Sequence, residues 1–335
     1  MNDYPRKPLA GYPIMILKLV SLLFSLTFLL SCFSCSKPGG IPAGKTVEPA
    51  QVLTSGEKVY TDALKHRYVL KEIPRRIISL NPSVTEILFA IGAGDRVVGV
   101  TQYCDYPSEA RTRTQVGGFS GATVSMEQIR FLNPDLVILS AEMHSRIVPL
   151  LDDLGIPSFA VEPANFSEVY ETISLLGEIT GCADGAKEVV ADMKSRIAAV
   201  EEQLKNTEPK SVFWILGINP LMTAGSGTFV SEALSLGGGK NIFDDIQERW
   251  PLVSAEQVLL RKPEWILMGD DMTGGSAGQG SSDPMTIIPG SLQGQAIPAV
   301  REKRVAVLNG DLVYRYGPRL ADAVEAIAKI LHGDR

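Results

Sequence analysis

Gly274-Gly275-Ser276-Ala277-Gly278 matches GxSxG, a pattern that in acyl-transfer enzymes exposes a serine nucleophile on a sharp turn between strand and helix. That chemistry needs the helix at once. Here the chain continues Gln279-Gly280-Ser281-Ser282-Asp283-Pro284, which cannot form one. Residues 270–287 therefore read as a Gly/Ser-rich loop, and a secreted α/β hydrolase stays only as a remote alternative. No complete GxGxxG and no GxxxxGK[ST] occurs, so neither a dinucleotide fingerprint nor a phosphate loop is present. His144, with Glu142 nearby, has no visible partners as a metal ligand. Three histidines and four cysteines in the whole chain argue against a dedicated metal site.

The aromatic residues suggest binding instead. Tyr103 and Tyr106 stand in Thr101-Gln102-Tyr103-Cys104-Asp105-Tyr106-Pro107, just past a short apolar run. Phe119 follows Gly117-Gly118, Trp250 precedes Pro251, and Tyr314 and Tyr316 flank Arg315. Rings in loops with no apolar run behind them suit a large flat ligand held by face and edge contacts. The alternative is that each ring caps the core of its own lobe.

Two acids stand out by position. Glu127-Gln128 is followed by Pro134 and Leu136-Val137-Ile138, and Glu256-Gln257 by Pro263 and Trp265-Ile266-Leu267. Glutamate to proline is seven residues both times. Each stretch reads as helix, tight turn and buried strand, so Glu127 and Glu256 hold one position in a duplicated architecture. An acid at a helix start is favoured by the helix dipole, so local stability is one account of both.

Strands alternating with helices must position these residues. Runs at 76–80, 97–101, 134–140 and 158–161 read as buried strands. Ser83-Val84-Thr85-Glu86 fits a capping box opening a helix, and 147–154 reads as another. Past about residue 207 the pattern restarts, with strands at 211–216, 264–268 and 304–308 and helices at 231–236 and 320–331. This order predicts an α/β fold with mostly parallel sheets covered on both faces, whose ligands bind beyond the carboxyl ends of the strands. Between the halves, Val189, Val190, Met193, Ile197, Val200 and Leu204 recur at helical spacing, which predicts one long stiff helix joining two lobes.

The N-terminus reads as an export signal. Residues 19–30 form an uncharged run of twelve behind Lys18, Arg6 and Lys7, and Met15 is an alternative start. As a helix the run spans about 18 Å, too short for a bilayer core of about 30 Å, so it fits a secretory signal. Leu29-Leu30-Ser31-Cys32 looks like a lipobox, which makes Cys32 the lipidated residue and Cys35 the weaker alternative. The expected organisation is a signal at 1–32, a Gly/Pro/Ser/Thr-rich tether at 33–57, an N-terminal lobe at 58–183, a linking helix at 184–206 and a C-terminal lobe at 207–335. Cys104 and Cys182 are the cysteines of the folded part, and their pairing stays open. At 45% hydrophobic and 21% charged, the 335-residue chain is globular rather than disordered. A net charge of −6 argues against nucleic acid as a partner.

The segments resemble the solute-binding proteins of iron-complex and cobalamin ABC importers over about residues 58–335. The residues carrying the resemblance are Arg76-Ile77-Ile78-Ser79-Leu80-Asn81-Pro82-Ser83-Val84-Thr85-Glu86, Tyr103-Cys104-Asp105-Tyr106-Pro107, Asn133-Pro134-Asp135-Leu136-Val137 and Tyr316-Gly317-Pro318-Arg319. The C-terminal half looks closest to the cobalamin-binding branch, through Phe213-Trp214-Ile215-Leu216-Gly217-Ile218-Asn219-Pro220-Leu221-Met222-Thr223, Gly238-Gly239-Lys240-Asn241-Ile242-Phe243 and the stretch from Trp250 through Leu259. The resemblance implies two Rossmann-like lobes that move little, the class III binding-protein architecture. It implies a corrinoid gripped by Tyr103, Phe119 and Trp250, with Asp311, Tyr314 and Arg315 also at the site. Arg315 is the clear cation of these loops, and their aromatic character favours a corrinoid over an anionic siderophore. Haem is a further alternative, with Tyr103 or Tyr314 as iron ligand. No resident cofactor or metal is implied; the ligand, a corrinoid or iron chelate, is cargo. The implied partners are an ABC permease dimer with cytoplasmic ATPase subunits, docked through Glu127 and Glu256. The chain is expected to be a monomer, lipid-anchored outside the cytoplasm. A sensor module without an importer is the competing binding function.

Overall fold

A computed structural model describes residues 51–52, 57–270, 285, 288, 290–293 and 296–333. The signal segment, Cys32, most of the tether and most of the Gly/Ser-rich loop with its GxSxG lie outside the described residues.

Among the described residues two parallel sheets carry the fold. The first runs in the spatial order Thr114–Gln115, Val97–Val100, Ile77–Ser79, Leu136–Ser140, Ser158–Val161. The second runs Gly239–Asn241, Lys210–Ile215, Trp265–Gly269, Val305–Leu308. Their central strands are mostly apolar because both faces are covered; every residue of Leu136–Ser140 is buried. Strand order reverses between Ile77–Ser79 and Leu136–Ser140 in the first sheet, and between Lys210–Ile215 and Trp265–Gly269 in the second. Such reversals open a crevice at the carboxyl ends of the strands, where α/β proteins hold ligands. A hairpin of Lys58–Thr61 and Arg67–Leu70 precedes the first sheet. It covers the sheet's outer strand, with the amides of Ala63 and Ala160 bonded to Ala160 O and Asp62 Oδ2.

The linking helix spans Ala183–Leu204, 22 residues. It follows the helix Phe166–Thr180, which ends on Gly181 in the left-handed conformation at φ 68°. Ala186, Met193, Ile197 and Val200 are its buried stripe. It packs against Phe166–Thr180 and against the last helix, Leu320–His332, and Arg196 pairs with both Asp322 and Glu325 on the latter. One apolar core runs from Ile77, Val84 and Phe159 through Met193 and Ile197 to Val212, Trp214 and Leu267. A close-packed core across the junction leaves no free pivot, so large lobe motions would have to break it.

Two local readings change. The helix Pro82–Ala90 is capped by Asn81, whose side chain accepts from the Ser83 amide. The Ser83…Glu86 capping box is therefore not formed, and Glu86 is buried. The glycine stop after Phe229–Leu236 leads straight into a strand, Gly239–Asn241.

Candidate functional site

Two loops at the strand ends of the first lobe bring Tyr103 and Phe119 together. The Gln102 amide donates to Gly117 O at 2.9 Å and joins the loops. Gly117 takes φ 140°, and a Cβ there would lie 2.3 Å from Thr123 O, so the close approach demands glycine. The rings meet edge to face, centroids 5.9 Å apart, yet remain 46% and 52% exposed. Trp250, in the second lobe, packs on Phe229 with centroids 6.5 Å apart, and the Arg249 guanidinium lies 5.8 Å from its ring. Its loop is pinned by the Thr223 amide donating to Pro251 O. Tyr314 packs edge-on against buried Trp214. Tyr103 and Phe119 thus form an open platform, while Trp250 and Tyr314 also lean on the core of their own lobe.

Arg315 is engaged by three carboxylates. Its side chain is only 13% exposed. One guanidinium nitrogen donates to Glu86 Oε1 at 3.0 Å and Asp105 Oδ1 at 2.8 Å; the other lies 2.8 Å from Asp311 Oδ1. Arg319 Nε donates to Glu86 Oε2 at 2.8 Å, and its guanidinium stacks over Tyr106 at 4.1 Å. Glu86 and Asp105 belong to the first lobe, Arg315 and Arg319 to the second, and the Glu86 side chain is 1% exposed. Arg315 therefore clasps the lobes together at the site where the sequence placed a ligand cation. Burial opposes ionisation of Asp105, but the Arg315 bond and charge leave its pKa below the ordinary value. Burial raises the pKa of Asp311, with Arg315 opposing. Beside the clasp, Asn81 Nδ2 donates to the Tyr316 hydroxyl at 2.8 Å.

Glu127 and Glu256 stand on matching helices, Met126–Leu132 and Ala255–Arg261. Each follows a serine cap, Ser125 or Ser254, that accepts from the amide of the following Gln128 or Gln257. Each helix ends on a non-glycine residue in the left-handed region, Asn133 at φ 45° and Lys262 at φ 47°, directly before the proline. Both glutamates are exposed, and neither forms an ion pair among the described residues. A hydrogen bond from Ser254 helps hold the Glu256 pKa below its usual value.

The remaining chemical residues are structural. His144 is buried, its Nδ1 accepts from the Ser140 amide, and burial pulls its pKa down to about 4. Cys104 and Cys182 are free thiols, with Cys104 Sγ 3.2 Å from Thr101 Oγ1. Among the described residues no group of three or more His, Cys, Asp or Glu side chains could hold a metal ion, and no helix is long and apolar enough to cross a membrane.

Residues 77–312 match the family described as periplasmic binding protein. The chain belongs to this family. The vitamin B12-binding protein of Photorhabdus laumondii is 33% identical over 260 residues, 77% of this chain and 88% of that protein. A Bacillus subtilis ABC transporter substrate-binding lipoprotein, itself uncharacterized, is 34% identical over 283 residues, 82% of this chain and 85% of that one. The periplasmic vitamin B12-binding protein BtuF of Vibrio cholerae superposes with a TM-score of 0.62 at 30% identity, covering 77% of this chain and 96% of that one. The periplasmic haem-binding protein RhuT from Roseiflexus sp. RS-1, in apo form, gives 0.64 at 26% identity, covering 77% and 98%. Two α/β lobes on one helix are the class III arrangement of this family, a non-enzymatic, extracytoplasmic component of ABC import that binds small ligands. The clasp residues Glu86, Asp105 and Arg319 were missed as a unit. Their signal was a lone acid inside an otherwise uncharged helix and two arginines around Tyr316-Gly317-Pro318.

Proposed function

We propose that this chain captures cobalamin or a related corrinoid between its lobes and delivers it to an ABC permease dimer with cytoplasmic ATPase subunits. The observation that carries this reading is the exposed Tyr103–Phe119 platform at the carboxyl ends of a parallel sheet. Two rings at right angles offer a macrocycle one face and one edge. Trp250 is the jaw from the second lobe. The pairing of the charges supports the ligand class. Arg315 is paired with Glu86, Asp105 and Asp311, Arg319 with Glu86, and Arg111 with Asp105. An anionic siderophore would meet arginines already committed to carboxylates, whereas a corrinoid's amide fringe can donate to Asp311. Haem is the second reading, favoured by the exposed Tyr103 phenol as an iron ligand. The experiment is titration of the soluble chain with cyanocobalamin. Each of Tyr103→Ala, Phe119→Ala and Trp250→Ala is expected to weaken binding about tenfold, the equivalent of burying part of one ring. Unchanged affinity with a lower melting temperature would make that ring a core residue instead.

The protein works as a monomer, lipid-anchored through Cys32 to the membrane and facing the periplasm or the extracellular side. Two signals are needed because one acyl chain holds only marginally. A palmitate analogue is expected to label the wild type and not Cys32→Ala; equal labelling of both would remove Cys32 from the account. Glu127 and Glu256 dock onto the permease, a reading supported by their exposure on duplicated helices.

A further inference from the structure

Phe131 and Leu260 are 81% and 79% exposed, the highest values among the exposed large hydrophobic residues. A single exposed apolar side chain needs no explanation. These two occupy the same place in the duplicated architecture: Phe131 lies four residues after Glu127, and Leu260 four after Glu256. Residues four apart on a helix are surface neighbours. Each helix therefore presents an acid and a bulky apolar group side by side. The inner face is fixed, with Ile129 and Leu132 buried on one helix and Val258 on the other. A serine cap at one end and a left-handed residue before proline at the other fix its length. The studs are thus preorganised, and little ordering entropy opposes their seating.

From this pairing we infer that Phe131 and Leu260 are apolar anchors for the permease, each entering an apolar socket whose rim carries the cation that meets the neighbouring glutamate. The inference rests on the docking reading of Glu127 and Glu256 and adds a second, salt-insensitive component to it. The occupant is a two-fold partner because the stud occurs once on each lobe at equivalent positions. A dimer of two such permease subunits offers two equal sockets; an asymmetric partner would leave one Phe or Leu in water. The acids contribute orientation and rate of encounter, which salt screens. The apolar groups contribute residence, which salt does not screen.

The test uses the full-length mature chain in detergent and the permease–ATPase complex from its own cells, reconstituted in nanodiscs. Equilibrium affinity is measured in low and in high salt for wild type, for Phe131→Ser with Leu260→Ser, and for Glu127→Ala with Glu256→Ala. The apolar double variant is expected to weaken docking by about a hundredfold at both salt levels, about tenfold per anchor. The acidic double variant is expected to lose affinity mainly in low salt. Melting temperature and ligand affinity report whether the apolar variant has kept its fold, and Phe131→Leu, which keeps an apolar stud, is expected to restore most of the binding. Wild-type docking by the apolar variant, with docking lost in the acidic one, overturns the inference and leaves the docking reading standing. Wild-type docking by both variants removes the docking reading and the inference with it. Self-association of the wild type that disappears in the apolar variant, with permease docking unchanged, overturns the inference by assigning the studs to a second copy of the chain.

Discussion

Glu86→Ala is expected to cost about 3–5 kcal/mol of folding stability, because removing one member of a buried ionic cluster leaves the opposite charges buried without compensation. The Glu86 carboxylate is 1% exposed and receives both Arg315 and Arg319 from the other lobe. Without it, Arg315 keeps Asp105 and Asp311, but Arg319 loses its hydrogen-bonded carboxylate and keeps its stacking on Tyr106 and the charge of Asp311. Glu86→Gln retains the shape and one acceptor, so its loss should be smaller. Urea unfolding gives both values. A change under about 1 kcal/mol for Glu86→Ala would mean that the clasp is solvated and that the packed core alone holds the lobes. The variant also bears on function. Asp105 lies two residues from Tyr103 on the loop that Arg315 grips, so a weaker clasp should loosen the aromatic platform and speed ligand release.

Glu127→Ala combined with Glu256→Ala is expected to abolish ligand uptake in cells while leaving ligand affinity unchanged. Removing both acids takes away the charge contacts that steer and orient docking on the permease. In the free chain both groups are exposed, so melting temperature should move little. Uptake and anchoring must be measured in the same cells. Normal uptake by the correctly anchored double variant would leave helix-terminal electrostatics as the sufficient account of both acids.

The strand framework was readable because short apolar runs between turn signals admit few alternatives. The strand run at 134–140 appears as Leu136–Ser140, and that at 158–161 as Ser158–Val161. The duplicated Glu-to-Pro spacing was readable for a local reason too: cap, helix and left-handed stop are each written within nine residues. What escaped is non-local. Glu86 looked like part of a cap because its partners are 229 and 233 residues away. That Arg315 also ties the lobes together was hidden because its partners Glu86 and Asp105 are 229 and 210 residues away. The helix Phe166–Thr180 went unread although Asn165 caps it and Glu168 sits in its first turn. The aromatic platform was half visible. Loop rings could be named from sequence, but only the fold separates the open pair Tyr103–Phe119 from Trp250 and Tyr314, which also pack on their own core.

The central claim is that a corrinoid is the cargo, and the most direct measurement is equilibrium titration of the purified soluble chain with cyanocobalamin, haemin and a ferric siderophore in parallel. The account predicts saturable one-to-one binding of cyanocobalamin, at least about tenfold tighter than either competitor, and tighter for the wild type than for Tyr103→Ala. Failure to bind cyanocobalamin, together with a haem absorption shift that Tyr103→Ala abolishes, would contradict it and make the chain a haem carrier.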